Sequence, residues 1–368
     1  KDGSKSLSSN AQYTASLAKL PADRSMTIFL DGAKFAGSVS TAIDELSKDS
    51  PMMGSSLNSM KGVYNQLKNQ NSVAVVGVTA RPNGVQIDSA SNINDTNAAL
   101  ASAMPLMSDR SIVKLMPADV WGFVASANLK DLVTQGLVYL DKMNYFSSLG
   151  MGNMNAAQIK QQFKQATGLD LDSDILSWMG GEWGAYVQPG ADANTPAQGG
   201  FVLNVKDNKA QATASIQKIN QALKAKVANG TDQYAPKLTE QQVAGSTVYK
   251  LGTDYSAVYY GIVGDYFFIT SNTVTMQAIV NGKGGITDSA NYKGAMTNAL
   301  TNNNAVMYVN FQAIREFVEK MMSSGGASSM ASYNKDVKPS LVPFRSLGIT
   351  SDNANNIQHA VIFIDIEK

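Results

Sequence analysis

Three stretches of the chain alternate along a strand, end on an Asp or Asn, and pass at once into a helical stripe. They are Met26-Thr27-Ile28-Phe29-Leu30-Asp31, Phe123-Val124-Ala125-Ser126-Ala127-Asn128 and Ala305-Val306-Met307-Tyr308-Val309-Asn310. Side chains two apart share a strand face, so Met26, Ile28 and Leu30 fall together, as do Phe123, Ala125 and Ala127, and Ala305, Met307 and Val309. Each of these sets is the expected core side of its strand. Beyond the polar residue the period changes from 2 to 3.6. Phe35, Val39, Ala42, Ile43 and Leu46 form one stripe, Leu129, Leu132, Val133, Leu137 and Leu140 a second, and Ile314, Phe317, Val318 and Met321 a third.

Asp31, Asn128 and Asn310 stand where a helix N-cap belongs. A short carboxylate or amide oxygen accepts the amide protons that the first helical turn leaves unpaired, so these residues are read as structural caps. The first two phrases are also introduced alike, by Leu20-Pro21-Ala22-Asp23 and Met116-Pro117-Ala118-Asp119. Proline fixes its own φ and pushes the preceding residue toward extended backbone, which ends one element and launches the next.

Between the repeats, Val73 to Ala80 and Val85 to Ser91 flank Pro82-Asn83-Gly84, where Asn-Gly predicts a tight hairpin with positive φ. A long helix is expected from near Asp207, burying Ala212, Ile216, Ile219, Leu223 and Val227. Strands are expected at 183–188, 200–205, 247–251, 257–263 and 266–270, and a final hairpin joins 347–350 to 357–366 across 351–356. The fold class is therefore α+β, in which repeated strand-helix units build mostly antiparallel sheet with helices on one side. The units run 20–115, 116–300 and 301–368, behind a polar leader at 1–19.

Composition narrows the function. Lys and Arg number 30 against 29 Asp and Glu, a net charge of +1, and no basic cluster offers a phosphate-binding surface, so nucleic acid is not an expected partner. Charged residues are 16% of the chain, below the roughly 25% usual for soluble domains. An uncharged polar surface of this kind suits secreted or envelope proteins. Cysteine is absent, which excludes disulfides, thiolate catalysis and zinc-thiolate sites. No apolar run is long enough to span a membrane. The opening Lys1-Asp2-Gly3-Ser4-Lys5-Ser6-Leu7-Ser8-Ser9-Asn10 reads as a tether left after a leader was removed.

Candidate chemistry is sparse. Asp170, Asp172 and Asp174 have the spacing of the first three ligands of a calcium loop and are the candidate metal ligands. Ile175 stands where that loop needs glycine, however, and Gly181 where it needs a bidentate glutamate. The competing reading is a capped helical turn over 172–178, closed by Gly180-Gly181. Ser111-Ile112-Val113-Lys114 with Ser351-Asp352-Asn353 imitates two signatures of penicillin-recognising enzymes, but Lys-Thr-Gly is missing and Ser111 is expected before a strand. His359 is the one histidine and alternates with Ile357, Val361 and Phe363, as a half-buried strand residue would. Asn281-Gly282-Lys283-Gly284-Gly285 lacks Walker spacing and suits a helix end. Glu182, Asp207 and Asp265 are the carboxylates that a hydrolase would have to bring together in three dimensions. These tests leave no catalytic residue, no tightly bound metal and no organic cofactor among the expectations.

Two phrases and their neighbours resemble a known family. Leu20-Pro21-Ala22-Asp23 before a strand, Trp178-Met179-Gly180-Gly181-Glu182, the strand-to-helix segment from Gly200 to Asp207 and the turn Val263-Gly264-Asp265-Tyr266-Phe267-Phe268-Ile269 are similar to the bacterial domain-of-unknown-function family 3352. The resemblance covers most of the chain from about Leu20. It implies an exported or envelope-associated protein and supplies no activity or functional residues.

The aromatic group Tyr255, Tyr259, Tyr260, Tyr266, Phe267 and Phe268 suits a hairpin packed on both faces; with one face bare, its rings would form an interaction surface. Segments 73–79 and 357–366 are poor in lysine and are the expected edge strands, open to pairing with another chain. The functional expectation is a non-catalytic extracellular or cell-envelope module that docks protein partners or itself. The alternative is an extracellular glycan- or peptide-binding protein or hydrolase with a site between repeat units.

Overall fold

The computed structural model describes residues 6–367 except 50–60, 62–63, 65–67, 69–71, 95–96, 109, 143–153, 193–194, 228–235, 254–256, 282–284 and 325–330. Helix α1 (Ala11–Leu17) precedes a first β-α-β-β unit made of β1 (Met26–Asp31), α2 (Gly32–Asp49), β2 (Val73–Arg81) and β3 (Gly84–Asn92). Short helices α3 (Ala98–Ser102) and α4 (Ser111–Lys114) lead to the second unit. It consists of β4 (Gly122–Ala127), α5 (Leu129–Lys142), α6 (Ala156–Thr167), β5 (Glu182–Asp192) and β6 (Thr195–Asn204). Helix α7 (Lys209–Val227) is followed by β7 (Lys237–Val243), β8 (Ser246–Gly252), β9 (Ala257–Val263) and β10 (Tyr266–Thr270), then α8 (Thr273–Val280) and α9 (Ala290–Ala295). The third unit is β11 (Ala305–Val309), α10 (Phe311–Ser324), α11 (Lys338–Leu341), β12 (Phe344–Ala354) and β13 (Ile357–Ile366).

All the strands join in one 13-stranded sheet of order β1-β2-β3-β13-β12-β11-β4-β5-β6-β10-β9-β8-β7. Every pairing in it is antiparallel. In each unit the capped strand lies beside the first strand of the hairpin that follows: β1 by β2, β4 by β5, β11 by β12. The first and third units meet at β3 and β13, the second and third at β11 and β4. The chain is thus α+β, with the units fused edge to edge rather than separately cored.

One face of the sheet is closed. Val75, Ala90, Phe123, Ala125, Tyr186, Val202, Phe268, Val306, Tyr308 and Phe363 are buried there. Its cover comes from the short elements, with Met107, Ile112, Val113 and Met116 around α4, Met276 of α8 and Ile286 packed against the middle strands. The other face takes α7, whose Ala212 and Ile216 pack with Trp178, Leu203, Tyr260 and Phe267. Helices therefore line both faces, because a sheet this wide presents two apolar surfaces and short connections can reach the second.

Several expectations are corrected. Residues 11–17 of the presumed tether form α1, capped by the Asn10 side chain and docked on the sheet: Ser16 is buried, and Tyr13 meets Phe29 edge-on at 5.4 Å. Neither expected edge is an edge. β2 lies between β1 and β3, and β13 between β3 and β12, because strands remote in sequence complete the pairing. Among the described residues the edges are β1 and β7. The core side also differs: Phe123, Ala125 and Ala127 are buried as expected, but Met26, Ile28, Leu30 and Met307 are exposed, and Val306 and Tyr308 are buried instead.

Turn chemistry follows the residues. Asn355 and Asn356 have φ of 56° and 59°, the left-handed pair of a two-residue hairpin, so β12 extends to Ala354 instead of stopping at 350. At β2–β3 the central residues are Pro82 and Asn83 without positive φ, since proline at the first position selects the ordinary turn. The aromatic hairpin β9–β10 lies inside the sheet, with Phe267 buried on the α7 face and Phe268 on the other; Tyr255 lies outside the described residues.

Candidate functional site

The three capping positions act on backbone. Asp31 Oδ1 accepts from Lys34 N–H at 3.0 Å, Asn128 Oδ1 from Asp131 N–H at 3.3 Å, and Asn310 Oδ1 from Ala313 N–H at 3.0 Å. The Lys34 amide holds the Asp31 carboxyl below its ordinary pKa. Asn128 also sits at φ 57°, a left-handed conformation that asparagine tolerates and alanine does not. Asp31→Ala is expected to cost about 1 kcal/mol and Asn128→Ala about 1 kcal/mol more, measured by denaturant unfolding. Equal costs at the two positions would refute the backbone argument.

Asp170, Asp172 and Asp174 lie together at the turn that follows α6, yet each faces its own lysine. Asp170 caps the turn, accepting from the amides of Asp172 (3.1 Å) and Ser173 (3.0 Å), and its other oxygen lies 3.4 Å from Lys164 Nζ. Asp172 pairs with Lys160 at 2.9 Å, and Asp174 with Lys218 of α7 at 2.7 Å. The Ser173 amide lowers the Asp170 pKa, and the Lys218 ammonium lowers that of Asp174. The arrangement ties α6 and α7 to the turn carrying Trp178. Among the described residues no group of three His, Cys, Asp or Glu side chains is placed to hold a metal ion.

The other sequence candidates are dispersed. Ser111 opens helix α4 rather than preceding a strand, and its hydroxyl donates to Glu182 Oε2 at 3.2 Å; Ser351, on β12, donates to Asn304 at 2.8 Å. Glu182 is buried at the start of α4, where the Ile112 amide also reaches it at 3.4 Å. Asp265 is instead turned to Lys209 at 3.6 Å, and Asp207 sits in the single turn Lys206–Asn208. His359 is buried, not half-buried, with Nε2 3.4 Å from Asp88, which in turn accepts from Gln86 at 2.9 Å. Of the glycine-rich segment, Asn281 closes α8 by donating its backbone N–H to the Gln277 carbonyl, and 282–284 lie outside the described residues.

The feature that stands out is the face opposite the closed one. A single cross-strand row runs Met26, Val78, Ile87, Ile362, Ile349, Met307, Val124, Ala185, Phe201, Ile269, each directly opposite the next. All are apolar, none is fully buried, and at the usual strand spacing the row is roughly 40 Å long. Met26 is 49% exposed, Met307 43% and Ile269 40%. Beside it runs a second row, Val85, Ile364, Leu347, Val309, Gly122 and Val187. An antiparallel sheet face meant for water carries polar side chains at such positions.

Beyond the end that α7 covers, the helices do not close this face. Among the described residues neither α5 nor α10 has a fully buried one, and Val318 and Met321 stay exposed on the α10 apolar stripe. At α10 the incomplete closure leaves a cavity of about 440 Å³ lined by Phe311, Ile314, Arg315, Val318, Tyr333, Leu341, Phe344 and Ile364. Sequence reading found the α10 stripe but neither the row nor the cavity, since the row takes residues from ten strands in non-sequential order and the cavity brings α10 together with α11 and the β12–β13 hairpin.

A family model described as "Protein of unknown function (DUF3352)" matches residues 1–366. No curated protein and no solved structure matches the chain.

Proposed function

The chain belongs to the DUF3352 family, and for this member we propose a non-catalytic role as an exported, envelope-associated module that works by contact through the open face of its sheet. The observation that carries the reading is the ten-strand apolar row, no member of which is fully buried, on the part of the face overlain by α5 and α10, where those helices bury no described residue fully. A contiguous apolar surface of this kind marks a binding site. Export is supported by the low charge and by the family resemblance. No helix among the described residues is long and apolar enough to cross a membrane.

Self-association belongs to the same reading, and β1 is the strand that would carry it. Among the described residues its outer side pairs with no strand, and its exposed face carries Met26, Ile28 and Leu30, whereas the opposite edge, β7, is guarded by Lys237 and Glu240.

The test is a titration of the full chain with the apolar dye anilinonaphthalene sulfonate, beside hydrolysis assays on chromogenic glycosides and peptides. Saturable dye binding is expected, weakened about tenfold by Met307→Asp in the centre of the row, with no turnover. Turnover, together with dye binding indifferent to Met307→Asp, would replace this reading by a hydrolase.

A further inference from the structure

We propose that the cavity between α10, α11 and the β12–β13 hairpin binds an unbranched acyl chain, with its polar end left in water. The assignment deepens the open-face reading above and rests on it. Its ground is the chemistry of the wall. Phe311, Ile314, Val318, Leu341, Phe344 and Ile364 contribute hydrocarbon, and the two polar residues among them are already occupied.

The Arg315 guanidinium donates to the carbonyls of Leu341 (3.0 Å), Phe344 (3.3 Å) and Val342 (3.4 Å) and lies 4.0 Å from Glu319. Tyr333 Oη donates to Glu319 at 3.0 Å, and Lys338 closes the same carboxylate at 3.0 Å. The Arg315 Nη1 and the Tyr333 hydroxyl are engaged by these partners and the rest of the wall is hydrocarbon, so a ligand that brought a hydroxyl or charge among those side chains would leave it unpaired there. The part that enters is therefore hydrocarbon.

Size and shape narrow it further. A cavity of about 150 Å³ holds one benzene, and this one is about three times larger, room for a chain on the order of 15 carbons. Ile364 belongs both to the cavity wall and to the second apolar row, through Leu347 to Val309. The cavity thus opens along a line of apolar side chains. A linear chain follows that line, whereas a rigid ring system of equal volume fills the cavity and stops.

The experiment uses the full chain and cis-parinaric acid, a fluorescent fatty acid, with palmitate and lysophosphatidylglycerol as competitors. One saturable site is expected, displaced by at least one competitor. Displacement by palmitate alone identifies a free fatty acid, and displacement by the lysolipid alone or by both identifies a lipid-borne chain. Ile314→Trp fills the cavity and is expected to weaken binding about tenfold or more while leaving the Tm near that of the parent. Val318→Trp, at a more exposed position of the same wall, serves if Ile314→Trp fails to fold.

Loss of binding in Met307→Asp but not in the filled variants would overturn the cavity assignment and leave the open-face reading standing. Absence of saturable parinaric acid binding, with dye binding intact, would likewise remove only the acyl chain. Binding indifferent to all three substitutions would overturn both.

Discussion

Trp178→Ala is expected to remove about 3–5 kcal/mol of stability, a large part of the roughly 5–15 kcal/mol that holds a domain folded. The indole is fully buried beneath α7, packed with Leu203, Val205, Ala212 and Ile216, and it meets Phe267 edge-on at 5.1 Å. Its Nε1 donates to the Asp174 carbonyl at 3.4 Å, so truncation removes a ring contact and a hydrogen bond together and leaves a void the sheet cannot collapse into. By contrast the ion pairs of the adjacent turn are exposed, and pairs of that kind are worth about 0–1 kcal/mol each. Packing, not charge, therefore decides the stability of this region. Urea unfolding measures it: Asp172→Asn should move the midpoint little and Trp178→Ala a great deal. A loss below about 1 kcal/mol for Trp178→Ala would show that the α7 layer is not packed as described.

How much of this was legible in the sequence depended on whether the signal was local. Asp31, Asn128 and Asn310 were, because a cap is decided within four residues, and the three β-α-β-β units follow from them. The core side was not: β11 is apolar on both alternating sets, so Met307 and Val306 look alike along the chain, in β1 the more apolar set, Met26, Ile28 and Leu30, is the exposed one, and the elements that bury one set and not the other come from residues far away. The interior placement of β2 and β13 was hidden for the same reason, because their sheet neighbours include β1, β3 and β12 in an order that the chain does not announce. Spacing misled at Asp170, Asp172 and Asp174, where alternate carboxylates suggested convergent ligands. The lysines that claim them lie at 160, 164 and 218, out of reach of any local pattern. The apolar row takes one residue from each of ten strands, so no window along the chain contains two adjacent members except at a hairpin.

The closed and open faces should also respond oppositely to added volume, and Gly348→Val is the sharpest case. Gly348 lies on β12 beneath α9, where a Cβ would stand 2.4 Å from the Ala295 carbonyl oxygen and 3.0 Å from its carbon. Those are backbone atoms, and α9 has little freedom to retreat: Ser289 accepts from its Tyr292 amide at 3.5 Å, and Ser346 Oγ donates to the Asn291 carbonyl at 2.8 Å. The strand needs glycine here because another backbone approaches closely. Overpacking of this kind costs about 1–3 kcal/mol for Ala and more for Val, whose second methyl must also enter the contact. Gly136→Ala, within α5 on the open side, meets nothing within 4 Å and should instead stabilise by about 0.5–1 kcal/mol through helix propensity. Thermal unfolding of the two variants side by side distinguishes a sealed layer from an accessible one, and Gly348→Val unfolding with the parent would mean that α9 does not press on the strand. The same comparison bears on ligand binding: Gly348→Ala should lower the Tm yet leave the parinaric acid affinity intact, because the closed face supports the sheet while the open face does the binding.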